Sequence, residues 1–507
     1  MSAVLTEAPP TVRTASARRS LAAVLALARF EAGKLLRRIP VVFMFAVYAF
    51  WMVWRTRHAW NGYPALQDAD RATQSGPLLV GLAALLCANQ AVLRSQQNDT
   101  ERHFGVLVLE PWRRTVAHAL SVVPLAGLVA LCVAGQFGWQ ALKSGAVGHG
   151  SLGELLVGPL SVLLFGAFGV LLARLVRAPF AGPVVVVLVF LLFLAGAFSF
   201  GTDEDASRWV APVVTEMSSK TLPSDLLGRP AGWHALYLAG LALGVALAAV
   251  LVSGGRTKLV TAGLAGAVAL GAVGAVGQAG GVPAVTTAAR IRDSLTPEKE
   301  QSCVQQGRST YCAFPEWMPR TGTWAQVADR VQSRAGGTVQ GQRLLVRQRV
   351  EARYGLAGDG AIDPLSVPYQ VTVGTAWGGP RVPEFAAAVA SVLVTGTEKA
   401  GGEVCDGRMV TIMWMALSWQ SDPVSELSAV RLDDSVTGSA IVLSQTNPLS
   451  MTAGQTAVVR ELFAAGPEAV GSRVKAHWAE LTAPKVTTAR VAELLGVKGP
   501  GEADKCE

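Results

Sequence analysis

Seven stretches of this chain stay apolar for nearly the 20 or so helical residues that cross a bilayer core of about 30 Å. They are Ile39–Trp54, Gly76–Leu93, Val116–Trp139, Leu155–Leu172, Phe180–Phe200, Trp233–Val252 and Leu259–Val276, and no such stretch follows residue 282. Ahead of them, Leu21, Val24, Leu25, Ala28, Ala32, Leu35 and Leu36 fall on one helical face bordered by Arg18, Arg19, Arg29, Lys34, Arg37 and Arg38. That pattern predicts an amphipathic helix at a membrane surface. In the last stretch Gly263, Ala267, Gly271 and Ala275 repeat every four residues, which predicts a face that another helix can approach closely.

Beyond residue 282 the pattern turns to short elements. Arg343–Val350, Tyr369–Trp377 and Val410–Trp419 read as strands. Thr323–Arg334, Pro383–Val394, Ala453–Ala465, Glu468–Leu481 and Thr487–Leu495 read as helices, and Gly355–Pro368 and Gly378–Pro383 as loops. The fold class expected is therefore a membrane α-helical bundle of about seven spans plus a mixed α/β extracytoplasmic domain. Residues 1–38 form a tail and interface helix, 39–258 six spans, 259–282 a seventh, and 283–507 the outer domain.

Composition agrees with a membrane protein, since 51% of the 507 residues are hydrophobic and 16% charged, against about a quarter charged in soluble proteins. The net charge of +8 arises in the span region, which holds 22 Lys and Arg against 13 Asp and Glu, while residues 283–507 hold 22 against 23. With the N-terminus inside, the inner segments carry 15 of those 22 cations. This bias sets the direction of the spans and places the C-terminal domain outside a plasma (inner) membrane. The basic excess is a topology signal, and nucleic acid is set aside as a partner. No cleavable signal is expected in the polar residues 1–20, and Leu259–Val276 is expected to stay as an anchor.

Cysteine placement points the same way. Cys87 and Cys132 lie within spans, whereas Cys303, Cys312, Cys405 and Cys506 all follow the last span, an even set suited to two disulfides in an oxidising compartment. Spacing favours Cys303 with Cys312 and Cys405 with Cys506. No C-x-x-C pair supports zinc, and no metal site is expected.

The chain carries no phosphate-binding G-x-x-x-x-G-K-[ST] loop, no H-E-x-x-H and no G-x-S-x-G, and His477 beside Trp478 reads as a surface or packing histidine. No catalytic residue and no cofactor of its own are expected. Asn89, Gln90, His118, Gln136 and Gln140, polar groups in or beside the spans, read as helix-joining groups. Six tryptophans after residue 282, Trp317, Trp324, Trp377, Trp414, Trp419 and Trp478, read chiefly as core and interface anchors.

One inner segment, Arg94–Arg114, is too long for a turn and too apolar at Val106–Leu109 for a solvated loop. Asp99 or Thr100 can cap a short helix there, with Glu101 at its positive end. The basic helix Arg29–Arg38 running into the first span, the loop containing Asp99-Thr-Glu-Arg102 and the short joins between later spans together resemble the permease subunits of type-2 ABC exporters. The resemblance covers residues 16–258. It implies a half-pore that pairs with a second permease copy or a homologous permease, in contact with membrane lipid. It also implies a cytoplasmic ABC ATPase subunit, holding ATP and Mg, that docks on Asn98, Asp99, Thr100, Glu101, Arg102, His103 and Phe104. Two other readings remain open from sequence: an ATPase-driven complex whose outer domain regulates an envelope partner, and a membrane-anchored binding or sensing protein.

Overall fold

The computed structural model describes residues 12–59, 62–97, 110–198, 206–214, 221–354, 362–433, 439–446 and 448–500. In these the chain is mostly helical, with a bundle up to Ala279 and a sheet-containing domain beyond it. The basic helix α1 (Val12–Leu36) runs into α2 (Ile39–Ala59) through a 62° bend. Pro40 explains the break: lacking an N–H, it cannot continue the hydrogen-bond ladder of α1 back to Leu36, and it is tolerated in the first turn of α2.

The bundle continues with α3 (Leu66–Arg71), α4 (Gly76–Gln97), α5 (Pro111–Leu120), α6 (Val123–Ala141), α7 (Leu152–Leu175), α8 (Ala181–Phe198), α9 (Ala231–Val252) and α10 (Lys258–Ala279). Within the described residues all seven apolar stretches are mainly helical, Val116–Trp139 being divided between α5 and α6 at Ser121 and Val122. Among the described residues five helices are long and apolar enough to cross a membrane, or six if the bent α1–α2 pair is one span, while Ala181–Ala195 is a shorter apolar helix.

Helix α7 is the centre of the bundle, flanked by α4 on one side and α9 on the other. Small residues allow the close approach: a Cβ at Gly169 would meet the backbone of Leu85, and one at Gly240 of α9 would meet that of Gly271 in α10. The buried face of α10 is Ala267, Gly271, Gly274 and Gln278. It shares Ala267 and Gly271 with the predicted stripe, and Gly263 also faces α9, where an added Cβ would meet Leu247 at 3.3 Å, while Ala275 is half-buried at the edge of that face. The outward faces stay apolar and exposed, as at Phe43 and Phe50 on α2 and Leu188 and Leu192 on α8.

After α11 (Ala284–Leu295) come β1 (Ser302–Gln306) and β2 (Ser309–Ala313), an antiparallel hairpin turned at Gly307, whose φ is 59°. In its register Cys303 lies opposite Cys312, and the two form a disulfide with Cα atoms 4.0 Å apart. Helix α12 (Thr321–Ser333) leads to β3 (Leu345–Gln348), parallel to β2, and β4 (Gln370–Val373) adds in parallel to complete four strands. Both predicted strands here are present, shortened at each end. Then follow α13 (Arg381–Thr395), α14 (Arg408–Leu417), the antiparallel strands β5 (Arg431–Asp433), β6 (Ser439–Val442) and β7 (Leu449–Thr452), and the helices α15 (Ala453–Ala464), α16 (Pro467–Ala476) and α17 (Thr488–Leu495).

The strand expected at Val410–Trp419 is instead helix α14. Every residue from Met409 to Leu417 is buried, so the segment is apolar all round and lacks the alternation that separates strand from helix. The helix expected over Glu468–Leu481 breaks at His477 into α16 and a single turn, Trp478–Leu481. Residues 381–383, expected in a loop, open α13.

Cys405 is disulfide-bonded, and Cys506, its expected partner, lies outside the described residues. So does the whole segment Asn98–Phe104.

Candidate functional site

The two ends of the bundle are built differently, and each bears on function. At the end away from the α/β domain, α1 lies across the helices that flank residues 98–109. Val24 and Ala28 of α1 bury against Ala117 of α5. Glu31, itself buried, accepts from Arg94 Nη2 near the end of α4 at 3.4 Å, and Arg38 Nη1 donates to Gln90 Oε1 at 3.0 Å. One helix thus holds both edges of the segment predicted to dock a partner. From the other side, Thr115 Oγ1 of α5 donates to Ser253 Oγ at the end of α9 (2.7 Å).

His118 lies among the cations Arg94, Arg114 and Arg174. Asn89 Nδ2 reaches the Gly169 carbonyl at 3.4 Å, joining α4 to α7. Gln90 is likewise a joining group, through Arg38. Gln136 and Gln140 are buried on α6.

At the opposite end a belt of polar side chains closes the bundle beneath the α/β domain. Glu154 at the start of α7 accepts two hydrogen bonds from Arg229, at 2.6 Å from Nε and 3.2 Å from Nη2, and a third from Gln74. The two charged side chains are 4% and 6% exposed, a degree of burial that only a paired charge sustains. The Arg229 guanidinium also lies 5.0 Å over the Trp209 ring. Asp70 Oδ2 accepts from the Ser151 backbone N–H (2.7 Å), and Gln278 bridges α10 to the Trp209 carbonyl (2.8 Å) while meeting His234 at 3.0 Å.

The domain grips this belt through two arginines. Arg320, 2% exposed, donates to the carbonyls of Tyr63 (2.7 Å), Pro64 (3.2 Å) and Gly145 (3.3 Å) in the bundle and of Thr375 (2.9 Å) in its own domain. Burial pulls its pKa down to about 10. Arg290 of α11 donates to the carbonyls of Leu226 (2.8 Å) and Leu227 (2.9 Å). Glu316 accepts from the Ser224 N–H at 3.0 Å.

The apolar core is shared as well. Ala65, Val147, Leu222, Leu226 and Leu227, from three connections of the bundle, belong to the same buried cluster as Trp317, Trp324, Phe385 and Trp414. The tryptophans are mainly packing groups, as expected, and Trp317 Nε1 donates to Thr375 O (2.8 Å).

Glu154, Arg229, Arg290 and Arg320 were not singled out in the sequence. Glu154 immediately precedes one apolar stretch and Arg229 stands just ahead of another, so opposite charges at neighbouring span ends carried a signal. Arg320 carried none, because its partners are backbone carbonyls. His477 caps α16 at the surface. Among the described residues no group of three His, Cys, Asp or Glu side chains could hold a metal ion.

Fold and site together define a protein with several helices able to cross a membrane, locked to an α/β domain with a disulfide. Comparison with known proteins finds no matching family model, curated protein or solved structure.

Proposed function

We propose that this chain is the membrane subunit of an ATP-driven exporter of the type-2 ABC kind. It forms half of a translocation path with a second permease, and a separate cytoplasmic ATPase binds ATP and Mg. The chain itself catalyses nothing. It lies in the plasma membrane with the N-terminus inside and the α/β domain outside, an oxidising setting that suits the Cys303–Cys312 disulfide.

The observation that carries this reading is the seat of α1. A partner pushing on residues 98–109 would act on α4 and α5, and α1 ties both, by Arg94–Glu31, Arg38–Gln90 and the Val24–Ala28–Ala117 contact. Movement of the loop is then movement of a unit of three helices. The test is purification of the tagged protein from native membranes in mild detergent, with mass spectrometry and an ATPase assay. A soluble ATPase recovered with wild type and weakened by Thr100→Ala with Glu101→Ala supports the reading. No ATPase under any condition removes its energy source.

A second reading, mechanical action of the outer domain on an envelope partner, has its own support in the shared core and the Arg320 clamp. A domain locked to the bundle follows any tilt of its helices. ATP hydrolysis stimulated by a transported compound favours export; hydrolysis stimulated only by an envelope protein favours the mechanical role.

A further inference from the structure

The bend between α1 and α2 opens a groove of about 890 Å³. Five cations line it, Arg29, Lys34, Arg37, Arg38 and Arg94, and no carboxylate does. Among the described residues neutralisation is slight. Glu31, outside the groove, reaches Arg94 at 3.4 Å; Arg38 has the uncharged Gln90; and Lys34 Nζ sits 4.1 Å over the Phe30 ring. Among the described residues Arg29 and Arg37 have no ion pair, and both are exposed. Like charges gathered this closely repel, and an anion held in the groove would relieve that repulsion.

Its surroundings say what carries that anion. Phe30 and Ile39, 57% and 83% exposed, form the apolar lip of the groove. From there Ile39, Phe43, Phe50, Val53 and Trp54 run down one face of α2, all exposed. At 1.5 Å per residue this lane is roughly 22 Å long, more than the depth of one leaflet. Cations at the head of an exposed apolar lane match a phosphate headgroup joined to acyl chains, and basic pockets between helices at the cytoplasmic face bind such headgroups.

We propose that this groove binds the headgroup of an anionic phospholipid whose chains lie along α2. A free phosphate would use the same cations but leave the lane empty, and an acidic protein surface would likewise make no use of it. The inference requires that the apolar helices lie in a bilayer and does not depend on the ATPase, so either can fail alone.

The test uses the full chain, delipidated in neutral detergent and titrated with phosphatidylglycerol, phosphatidylcholine or inorganic phosphate, with bound lipid counted by native mass spectrometry. Wild type retains phosphatidylglycerol in preference to phosphatidylcholine, and millimolar phosphate does not displace it. The exposed triple variant Arg29→Gln, Lys34→Gln, Arg37→Gln weakens phosphatidylglycerol binding by roughly tenfold or more, since each surface cation near an anionic lipid counts. Removing Arg256 and Lys258 by Arg256→Gln and Lys258→Gln, at the same end of the bundle, leaves it within about twofold. The charge-preserving Arg29→Lys, Arg37→Lys variant keeps the binding, which guards against misfolding as the cause. Equal binding by wild type and the triple variant, equal loss in the Arg256 and Lys258 control, or displacement by phosphate alone overturns the proposal.

Discussion

Arg320 Nη2 donates to the carbonyl of Tyr63 at 2.7 Å across 257 residues of sequence. That bond pins a domain formed by the second half of the chain to a connection made before the second apolar stretch. With the bonds to Pro64, Gly145 and Thr375, one guanidinium satisfies four carbonyls.

Arg320→Ala leaves these carbonyls without their donor, and a buried unsatisfied group costs about 1–3 kcal/mol. The expected result is faster hydrogen exchange at Leu66 and Val147, whose N–H groups bond to Val147 O and Pro64 O beside the clamp, with the α4–α7 contact unchanged. Arg320→Lys, with one compact ammonium in place of a fork, falls between. Unchanged exchange in the alanine variant would show that the shared apolar core holds the junction alone.

Glu154 and Arg229 form a buried pair, so removing one partner strands a charge. Glu154→Leu and Arg229→Met each lose about 3–5 kcal/mol, read as a lower unfolding temperature in detergent, whereas the two together recover most of it. A double variant as unstable as the sum of the singles would mean the two residues act independently.

Where α9 crosses α10, Gly240 has no room for a side chain. Gly240→Val is expected to cost at least about 1–3 kcal/mol and to abolish disulfide cross-linking between cysteines placed at Gly244 and Ala267. Gly266→Ala, whose Cβ would enter open space, is the neutral control.

The α/β domain carries an acid-sensitive tie at Asp406. Burial alone would raise the pKa of its carboxyl, but hydrogen bonds from the Arg408 side chain (2.9 Å from Nε) and from the backbone N–H groups of Arg408 and Lys485 hold it below the usual carboxylate range. A depressed folded value stabilises the fold above the unfolded value of about 3.9 and ceases to do so as pH falls through the folded one. Asp406→Asn is therefore expected to lower the melting temperature at pH 7, with the gap from wild type closing below about pH 4. A gap independent of pH would assign the loss to shape rather than charge.

What was legible in the sequence is what local periodicity encodes. The apolar stretches are helical in the described residues because a long apolar run needs no partner to be recognised, and the spacing of Leu21 to Leu36 located α1, whereas the break at Ser121 and Val122 left no mark in the pattern. Cys303 and Cys312 could be paired from their close spacing alone, and the structure supplies the reason, a two-residue turn at Gly307 and Arg308 that brings them into register. Val410–Trp419 misled because a helix buried on every side has no polar face to mark its period. The belt and the clamp were hidden for another reason: Glu154 and Arg229 are 75 residues apart, and Arg320 meets carbonyls that any residue could supply.

The shared core also sets a timetable for synthesis. Ala65, Val147 and Leu222 leave the ribosome long before Trp317 or Trp414, the side chains that will cover them. Until the last 190 or so residues have been made and folded, those apolar side chains of the bundle lack their cover, and the later half lacks pieces of its own interior. A chain stopped after residue 282 would be a membrane protein with an unfinished top, and residues 283–507 made alone would have hollows where those side chains belong. The junction between the earliest and latest parts of the chain can therefore be completed only once synthesis has passed Trp414.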